Sequence, residues 1–421
     1  MAQQAHFIIG PVGTAGDTLP LIALARHLVE CGHAVDFLAF DAFADPAQRA
    51  GLSFHRVGEV GLYDQLARDA TVWFWHSGFR ALWKYLAAAM ADTVAHVERL
   101  RRSETILVAS SGAVGLRLAQ EKFGLPLATV HMSAFYFFSR RANVLGGLGA
   151  WPRWAPLWMR SIVMALIDRW VIDGACRDDV NRMRAKMGLA PTRNIFTRWI
   201  HSPQRVICAV PAWFAPPQPD WPAHAVSVSF PVGDSSRDRA PWVADARLAA
   251  FLADAAPPIM FSAGSGAGAA LTFFARAVEV ARITGRRVIL VTRWPEQIPA
   301  PLPENICHIN HAPFDQLLPR VAAIVHNGGI GTIALAMRAA IPQVIVPFAY
   351  DQFYNGMRLA ALGGGVVIRR QRPPNALAAA IEAVVNSPGI RAACVRNQQR
   401  MHRSSQGVAE MGAVVLALIR T

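Results

Sequence analysis

The sequence predicts an α/β protein of two doubly wound domains, and three observations carry that expectation. The chain has 421 residues, too many for one ordinary hydrophobic core. In both halves short apolar runs alternate with amphipathic helical stretches, the pattern of parallel strands joined by crossover helices. Between the halves stand a Pro-rich stretch, Pro211–Pro222, and a polar segment, Gly233–Ala240, that reads as a linker. The expected division is residues 1–232, residues 241–400, and a C-terminal helix over 401–421 that packs back toward the first domain. Open sheets of this kind bind ligands at the carboxyl ends of their strands, so the two domains are expected to face each other across a cleft.

Each element follows from its residues. His6–Gly10 is an apolar run, Pro11–Asp17 a Gly-rich loop, Thr18–Glu30 an amphipathic helix and Ala34–Phe40 a second apolar run. The unit repeats as strand Ile106–Ala109, helix Gly112–Lys122 and strand Leu127–His131, with Thr71–Met90, rich in Trp and Phe, between the two. Beyond the linker the expected strands are Ile259–Ser262, Arg287–Thr292, Ala322–His326 and Gln343–Pro347. Helices are expected between them over Leu271–Thr284, Thr332–Ala339 and Phe353–Leu362. There is no tandem repeat or low-complexity tract.

Composition narrows the class. With 53% hydrophobic and 17% charged residues the chain suits a well-buried globular enzyme. Mean hydropathy is +0.26, yet the most apolar stretch, Trp154–Ile172, is interrupted by Arg160, Asp168 and Arg169, so no spanning helix is expected. The N-terminus reads directly as a strand without a signal-like segment, and the expected location is cytoplasmic. The net charge of +14 comes from arginines spread along the whole chain rather than a basic tail, so nucleic acid is not the expected partner. Five scattered cysteines form no CxxC or Cys/His cluster, which indicates neither a disulfide framework nor structural zinc.

The densest signal runs from His326 to Gly365. A buried strand ends at His326, and Gly328, Gly329 and Gly331 then allow a tight turn that exposes backbone N–H groups at a helix N-terminus. Such a turn binds phosphate, or merely closes a strand-to-helix connection. Thr332 adds a hydroxyl donor, and His326 can donate an imidazole N–H to a diphosphate oxygen. After the next strand come Asp351, Gln352 and Asn355. A carboxylate beside an amide suits sugar hydroxyls, which donate and accept; Asp351 serves equally as a helix N-cap. In the N-terminal half, the loop ending at Asp17 places a carboxylate at the mouth of the first helix, where it is either a general base or a cap.

These segments resemble the nucleotide-sugar signature of the UDP-glycosyltransferase superfamily, whose pattern is H-x-G-x-x-[GS]-T, then P, then DQ-x-x-N. The resemblance implies a GT-B fold, diphosphate binding by His326 and the Gly328–Thr332 turn, and sugar binding by Asp351 and Gln352. It also implies a donor loop at Gly264 and Ser265, and places His311, before Ala312 and Pro313, where relatives stack an aromatic ring on the base. Relatives read G-x-x-G-D-x-x-P near the first helix and use that Asp, here Asp17, as the base of an inverting transfer. The superfamily commonly carries a Glu on the ribose hydroxyls where this chain has Ala334. Loss of that acceptor costs a 2′-hydroxyl its partner, which tilts the donor toward a deoxyribose (dTDP) nucleotide. No D-x-D motif with metal-ligand character stands out, consistent with transfer that uses no divalent metal.

The acceptor side is aromatic. Trp75 and Phe79 lie in the first aromatic stretch, His131 and Phe135 at a strand end, and Trp151, Trp154 and Trp158 precede an apolar helix. Any one of these aromatics is as well explained by the core, but together they suggest an apolar acceptor or membrane lipid. Arg140 and Arg141 could pair with an acceptor carboxylate or remain solvated. Ile195–Gln204 and Pro211–Pro222 further resemble the rhamnosyltransferases of bacterial rhamnolipid synthesis. That resemblance implies dTDP-L-rhamnose as co-substrate and a 3-(3-hydroxyalkanoyloxy)alkanoate as hydroxy-fatty-acid acceptor. It also implies peripheral contact with the inner face of the cytoplasmic membrane and association with the enzyme that makes the acceptor. A glucosyltransferase acting on a sterol, macrolide or other lipid shares every motif, and an epimerase of the same fold or a silent partner subunit are further alternatives. A nicotinamide dehydrogenase fits poorly, because Gly10, Gly13 and Gly16 do not match G-x-G-x-x-G. A serine hydrolase lacks its G-x-S-x-G elbow.

Overall fold

The structure is a computed structural model that describes residues 4–74, 77–142, 151–152, 154–232, 242–253, 256–264 and 270–420. The chain forms two compact units. One takes the described residues of Met1–Leu145, Ala150–Gly233 and Gln406–Thr421, the other those of Asp234–Ser405.

The first unit holds a seven-stranded sheet of β1 (His6–Gly10), β2 (Ala34–Ala39), β3 (Ser53–Arg56), β4 (Thr105–Ser110), β5 (Leu127–His131), β6 (Arg205–Cys208) and β7 (Ala225–Ser227). Their order is β3-β2-β1-β4-β5-β6-β7, with every neighbour parallel. The second holds β8 (Ile259–Ser262), β9 (Val288–Val291), β10 (Ile306–Ile309), β11 (Ala323–His326), β12 (Gln343–Ile345) and β13 (Gly365–Val367). These run β10-β9-β8-β11-β12-β13, again all parallel. β1, β4, β5, β8 and β11 are buried along their whole length, which is why they read as continuous apolar runs rather than alternating ones.

Both sheets reverse direction of winding between their first and fourth strands, so the crevices at the carboxyl ends of β1/β4 and β8/β11 are where a ligand is expected. The first strand of each pair leads into the loop that carries a candidate residue. At the opposite end of the first sheet, buried His6 bonds Thr105 Oγ1 at 2.7 Å and Asp36 Oδ2 at 2.8 Å, while His55 meets Asp36 Oδ1 at 2.7 Å. Burial alone would raise the Asp36 carboxyl, but these two histidines hold it well below the ordinary carboxylate range.

The helix Gly407–Leu416 belongs to the first unit. Glu410 accepts the Ser229 backbone N–H at 2.7 Å and its hydroxyl at 2.9 Å. Gly407 lies so close to the backbone oxygens of Ser229 and Phe230 that an added Cβ would sit 2.4 Å from each, and Gly412 lies against the His27 ring. The C-terminal helix thereby braces the helix Ala15–Glu30, whose first turn carries Asp17.

Candidate functional site

In the second unit the candidate donor residues gather along the carboxyl edge of one sheet. Gly264 follows β8, His311 follows β10, the turn Asn327–Gly329 follows β11, and Asp351 with Gln352 follows β12. Ser265 lies outside the described residues. The turn is built from the inside. His326 is fully buried, its Nδ1 accepts the Gly328 N–H at 3.2 Å, and its Nε2 meets Gln343 Oε1 at 3.0 Å. Nδ1 is therefore the acceptor nitrogen, and the proton sits on Nε2, donated to Gln343. Burial pushes this imidazole down to about 4, against a lesser raising effect of the Gln343 bond, so it is neutral at ordinary pH.

That arrangement corrects the expected role of His326: with both ring nitrogens engaged, it shapes the turn instead of pointing an N–H at a ligand. The glycines are corrected too. The Gly328 N–H is used by His326 and the Gly329 N–H by Asn327 Oδ1 at 3.2 Å. The helix begins at Ile330, two residues earlier than its sequence suggests, with Gly329 as N-cap. Among the described residues its unsatisfied first-turn donors are the N–H groups of Ile330, Gly331 and Thr332, because Ile333 already bonds the Gly329 carbonyl. Three such N–H groups at the positive end of a nine-residue helix suit an anion. The Thr332 hydroxyl is half-buried beside them and has no hydrogen-bond partner among the described residues.

Gly328 adopts φ +92, and a Cβ there would stand 2.8 Å from Ile345 and 2.9 Å from the Gln352 carbonyl. Gly264 packs on the Asn327 amide. Asn355 Nδ2 ties the turn to the next loop by bonding the Gly328 carbonyl at 3.1 Å and Asp351 Oδ2 at 2.7 Å. Asp351 is the N-cap of the helix Gln352–Ala361 and follows Tyr350, a non-glycine residue held at φ 55, a costly backbone state that aims this loop. Gln352 is 5% exposed, and its Oε1 accepts the N–H groups of Phe348 at 2.7 Å and Ala349 at 3.1 Å. Its side-chain carbonyl is thus spent on the loop, leaving its amide N–H₂ as donor while Asp351 is the acceptor of the pair. Ala334 is 1% exposed on the same helix as Thr332 and offers no polar atom.

In the first unit, Asp17 is not an N-cap. The helix starts at Ala15 with Thr14 as N-cap, and Asp17 sits in the first turn and reaches back. Its Oδ2 accepts the Thr14 N–H at 3.0 Å and the Thr14 hydroxyl at 3.3 Å, while Oδ1 accepts no hydrogen bond among the described residues. The residue is half-exposed. Burial raises its carboxyl above its ordinary value, and the two Thr14 bonds only partly offset this. A carboxylate with one anchored and one open oxygen, raised in basicity, suits a general base.

The expected acceptor residues fare unevenly. Trp75 lies outside the described residues. Phe79 packs edge-on against Phe196 at 5.1 Å, and Phe135 is half-buried on the turn after β5 beside Tyr136 and Phe138. His131 does not reach a surface: it is fully buried between Ser111 Oγ at 2.7 Å and His201 Nδ1 at 2.9 Å. Arg140 is exposed, but its guanidinium lies 3.7 Å from Asp220, which answers its charge. Sequence reasoning missed Thr14, Asn327 and Gln343. The signal for Gln343 was there, a lone amide opening an otherwise apolar buried strand. Among the described residues no group of three or more His, Cys, Asp or Glu is placed to hold a metal ion.

Comparison with known proteins places these features. Residues 7–139 match the glycosyltransferase family 28 N-terminal domain, and residues 279–413 match the C-terminal domain of the erythromycin biosynthesis protein CIII-like family. Glycosyltransferase GtfC of Amycolatopsis orientalis is 32% identical over 217 residues, so the match spans only 51% of each chain. Vancomycin aglycone glucosyltransferase of the same organism is 28% identical across 85% of this chain and 84% of that one. A sterol 3-beta-glucosyltransferase of Arabidopsis thaliana is 26% identical across 84% of this chain and 58% of its own length. Among solved structures, the glycotransferase of kitacinnamycin superposes with a TM-score of 0.72 at 17% identity, covering 98% of both chains. The spinosyn rhamnosyltransferase SpnG, complexed with thymidine diphosphate, does so with 0.62 at 18% identity, over 97% of this chain and 99% of that. The structural likenesses establish a common fold.

Proposed function

We propose that this chain, whose two ends match the glycosyltransferase family 28 and EryCIII-like models and whose fold is that of GT-B glycosyltransferases, moves L-rhamnose from dTDP-L-rhamnose to the hydroxyl of a 3-(3-hydroxyalkanoyloxy)alkanoate with inversion. The N–H groups of Ile330, Gly331 and Thr332 take the diphosphate, and Asp351 with the Gln352 amide takes the sugar. Asp17 Oδ1 removes the acceptor's hydroxyl proton as that oxygen attacks the anomeric carbon. The bond from that carbon to the diphosphate oxygen breaks, and the leaving dTDP carries its charge onto the helix N-terminus.

The observation that carries the donor is Ala334. With no acceptor at that place on the helix, a ribose 2′-hydroxyl would lose its partner, whereas a deoxyribose has nothing to lose. The thymidine diphosphate held by SpnG supports the same choice. The hydroxyacyl acceptor rests on the resemblance of Ile195–Gln204 and Pro211–Pro222 to rhamnolipid rhamnosyltransferases. An excess of positive charge suits its carboxylate. An amphiphilic acceptor also suits a peripheral position on the inner face of the cytoplasmic membrane, beside the enzyme that supplies it.

A second reading, glucosyl transfer to a sterol, macrolide or other lipid, is favoured by the names of the relatives, among them glucosyltransferases of a sterol and of the vancomycin aglycone. Purified protein supplied with dTDP-L-rhamnose, dTDP-glucose and UDP-glucose in competition, with hydroxyacyl and sterol acceptors, separates the two by product mass. The proposal expects a rhamnosylated hydroxyacyl product. A hexosylated sterol, or UDP-sugars outcompeting dTDP-sugars, overturns it.

A further inference from the structure

We propose that the outer face of the helix Leu157–Ile167 and its π-helical continuation Asp168–Ile172 docks onto an anionic bilayer surface. The inference deepens the membrane part of the proposed function and depends on neither donor nor acceptor. The observation is an apolar helix without a single buried residue. Trp154, Trp158 and Trp170 are 75%, 66% and 67% exposed, and Leu157, Ile162 and Leu166 are exposed between them. Exposed apolar residues scattered singly need no explanation, but a contiguous run with three indoles does. Indoles favour the boundary between headgroups and acyl chains, where their apolar body is buried and their N–H stays wet. No helix among the described residues is long and apolar enough to cross a membrane, so this face lies in the surface rather than through it.

Charge selects the occupant. Residues 140–177 contain six arginines (140, 141, 153, 160, 169 and 177) and two carboxylates, Asp168 and Asp173, with no Lys or Glu. Both carboxylates are 5% exposed and turned inward, Asp173 onto the backbone N–H groups of Asn194 and Ile195. Arg140 is answered by Asp220 and Arg177 by exposed Asp178, so the exposed cations beside this face are Arg141 and Arg169, the Arg169 guanidinium over the Trp170 ring at 5.4 Å. Anionic lipid headgroups complement that rim. A second copy of the chain does not, since a two-fold contact sets the same arginines against each other.

The test is co-sedimentation of the full chain, without substrates, on vesicles of phosphatidylcholine alone or mixed with phosphatidylglycerol. The proposal expects binding to the anionic vesicles that falls with salt, and a loss on the order of tenfold or more in the double variant Trp158→Ser, Trp170→Ser. Val60→Ser, at another exposed apolar position (71%), should bind as the native chain does. An unchanged far-ultraviolet circular dichroism spectrum and thermal midpoint show that the double variant is folded. Equal binding by the double variant, or equal binding to neutral and anionic vesicles, overturns the proposal. So does a dimer in solution that the double variant converts to monomer. None of these results bears on donor or acceptor identity, which the product assay reads separately.

Discussion

At Asp17 the two oxygens of one carboxylate have different surroundings: Oδ2 is anchored by the N–H and hydroxyl of Thr14, and Oδ1 is open. If the open oxygen takes the acceptor's proton, Asp17→Asn keeps the anchor and loses the base. The expected result is a fall in kcat of about 10²–10⁴ with dTDP affinity unchanged, measured by turnover and calorimetry. Because burial raises this carboxyl, the acidic limb of kcat/KM should lie above the ordinary carboxylate range. Thr14→Val removes one bond to the charged form and should move that limb higher still. Asp17 was legible in the sequence as a carboxylate at a helix mouth, but its exact seat was not. Gly16 and Pro20 made the first turn look weak, which hid a helix start at Ala15. His326 was legible as a residue of the turn but not in its role. Which way a buried ring points depends on Gln343, a residue on the neighbouring strand that local pattern does not connect to it.

The strand-to-helix turn after β11 works as an element because its side chains consume two of its N–H groups and leave three. Gly328→Ala would strain a positive φ and push into Ile345 and the Gln352 carbonyl. A cost of about 1–3 kcal/mol is expected, together with dTDP binding weakened at least about tenfold as the turn reopens; calorimetry and urea denaturation check both. The C-terminal helix is the other element with a sharp test. Gly407→Ala forces a Cβ against two backbone oxygens that cannot rotate away, so stability should fall by about 1–3 kcal/mol. Long buried strands such as β1, β5 and β8 were legible because burial on both faces leaves an unbroken apolar run. β13 is only Gly365–Val367, and β3 reads Ser-Phe-His-Arg with no buried residue, so neither leaves a pattern for a sequence reading to find. Both are edge strands, and neighbours rather than their own residues recruit them.

Across the whole molecule, each unit repeats one plan, a parallel sheet whose winding reverses beside the loop that carries the candidate residues. Among the described residues, His131, His201 and His326 are buried neutral within that plan. Burial lowers His131 well below its ordinary value and pushes His201 and His326 down to about 4. Each stays unprotonated when folded but gains a proton on unfolding below about pH 6.5, so their contribution is intact above that pH and is lost as pH falls toward 4. The expected slope is about 1.4 kcal/mol per pH unit for each such histidine. Denaturation midpoints between pH 7.5 and 4.5 check it, and a midpoint that does not move refutes it. The central claim, that this chain transfers a nucleotide-activated sugar with inversion, is tested most directly by the anomeric proton of the product. With dTDP-L-rhamnose and a hydroxyacyl acceptor, nuclear magnetic resonance should show one new glycosidic bond of opposite anomeric configuration to the donor. A product that retains the donor's configuration, or no product from any nucleotide sugar, would contradict it.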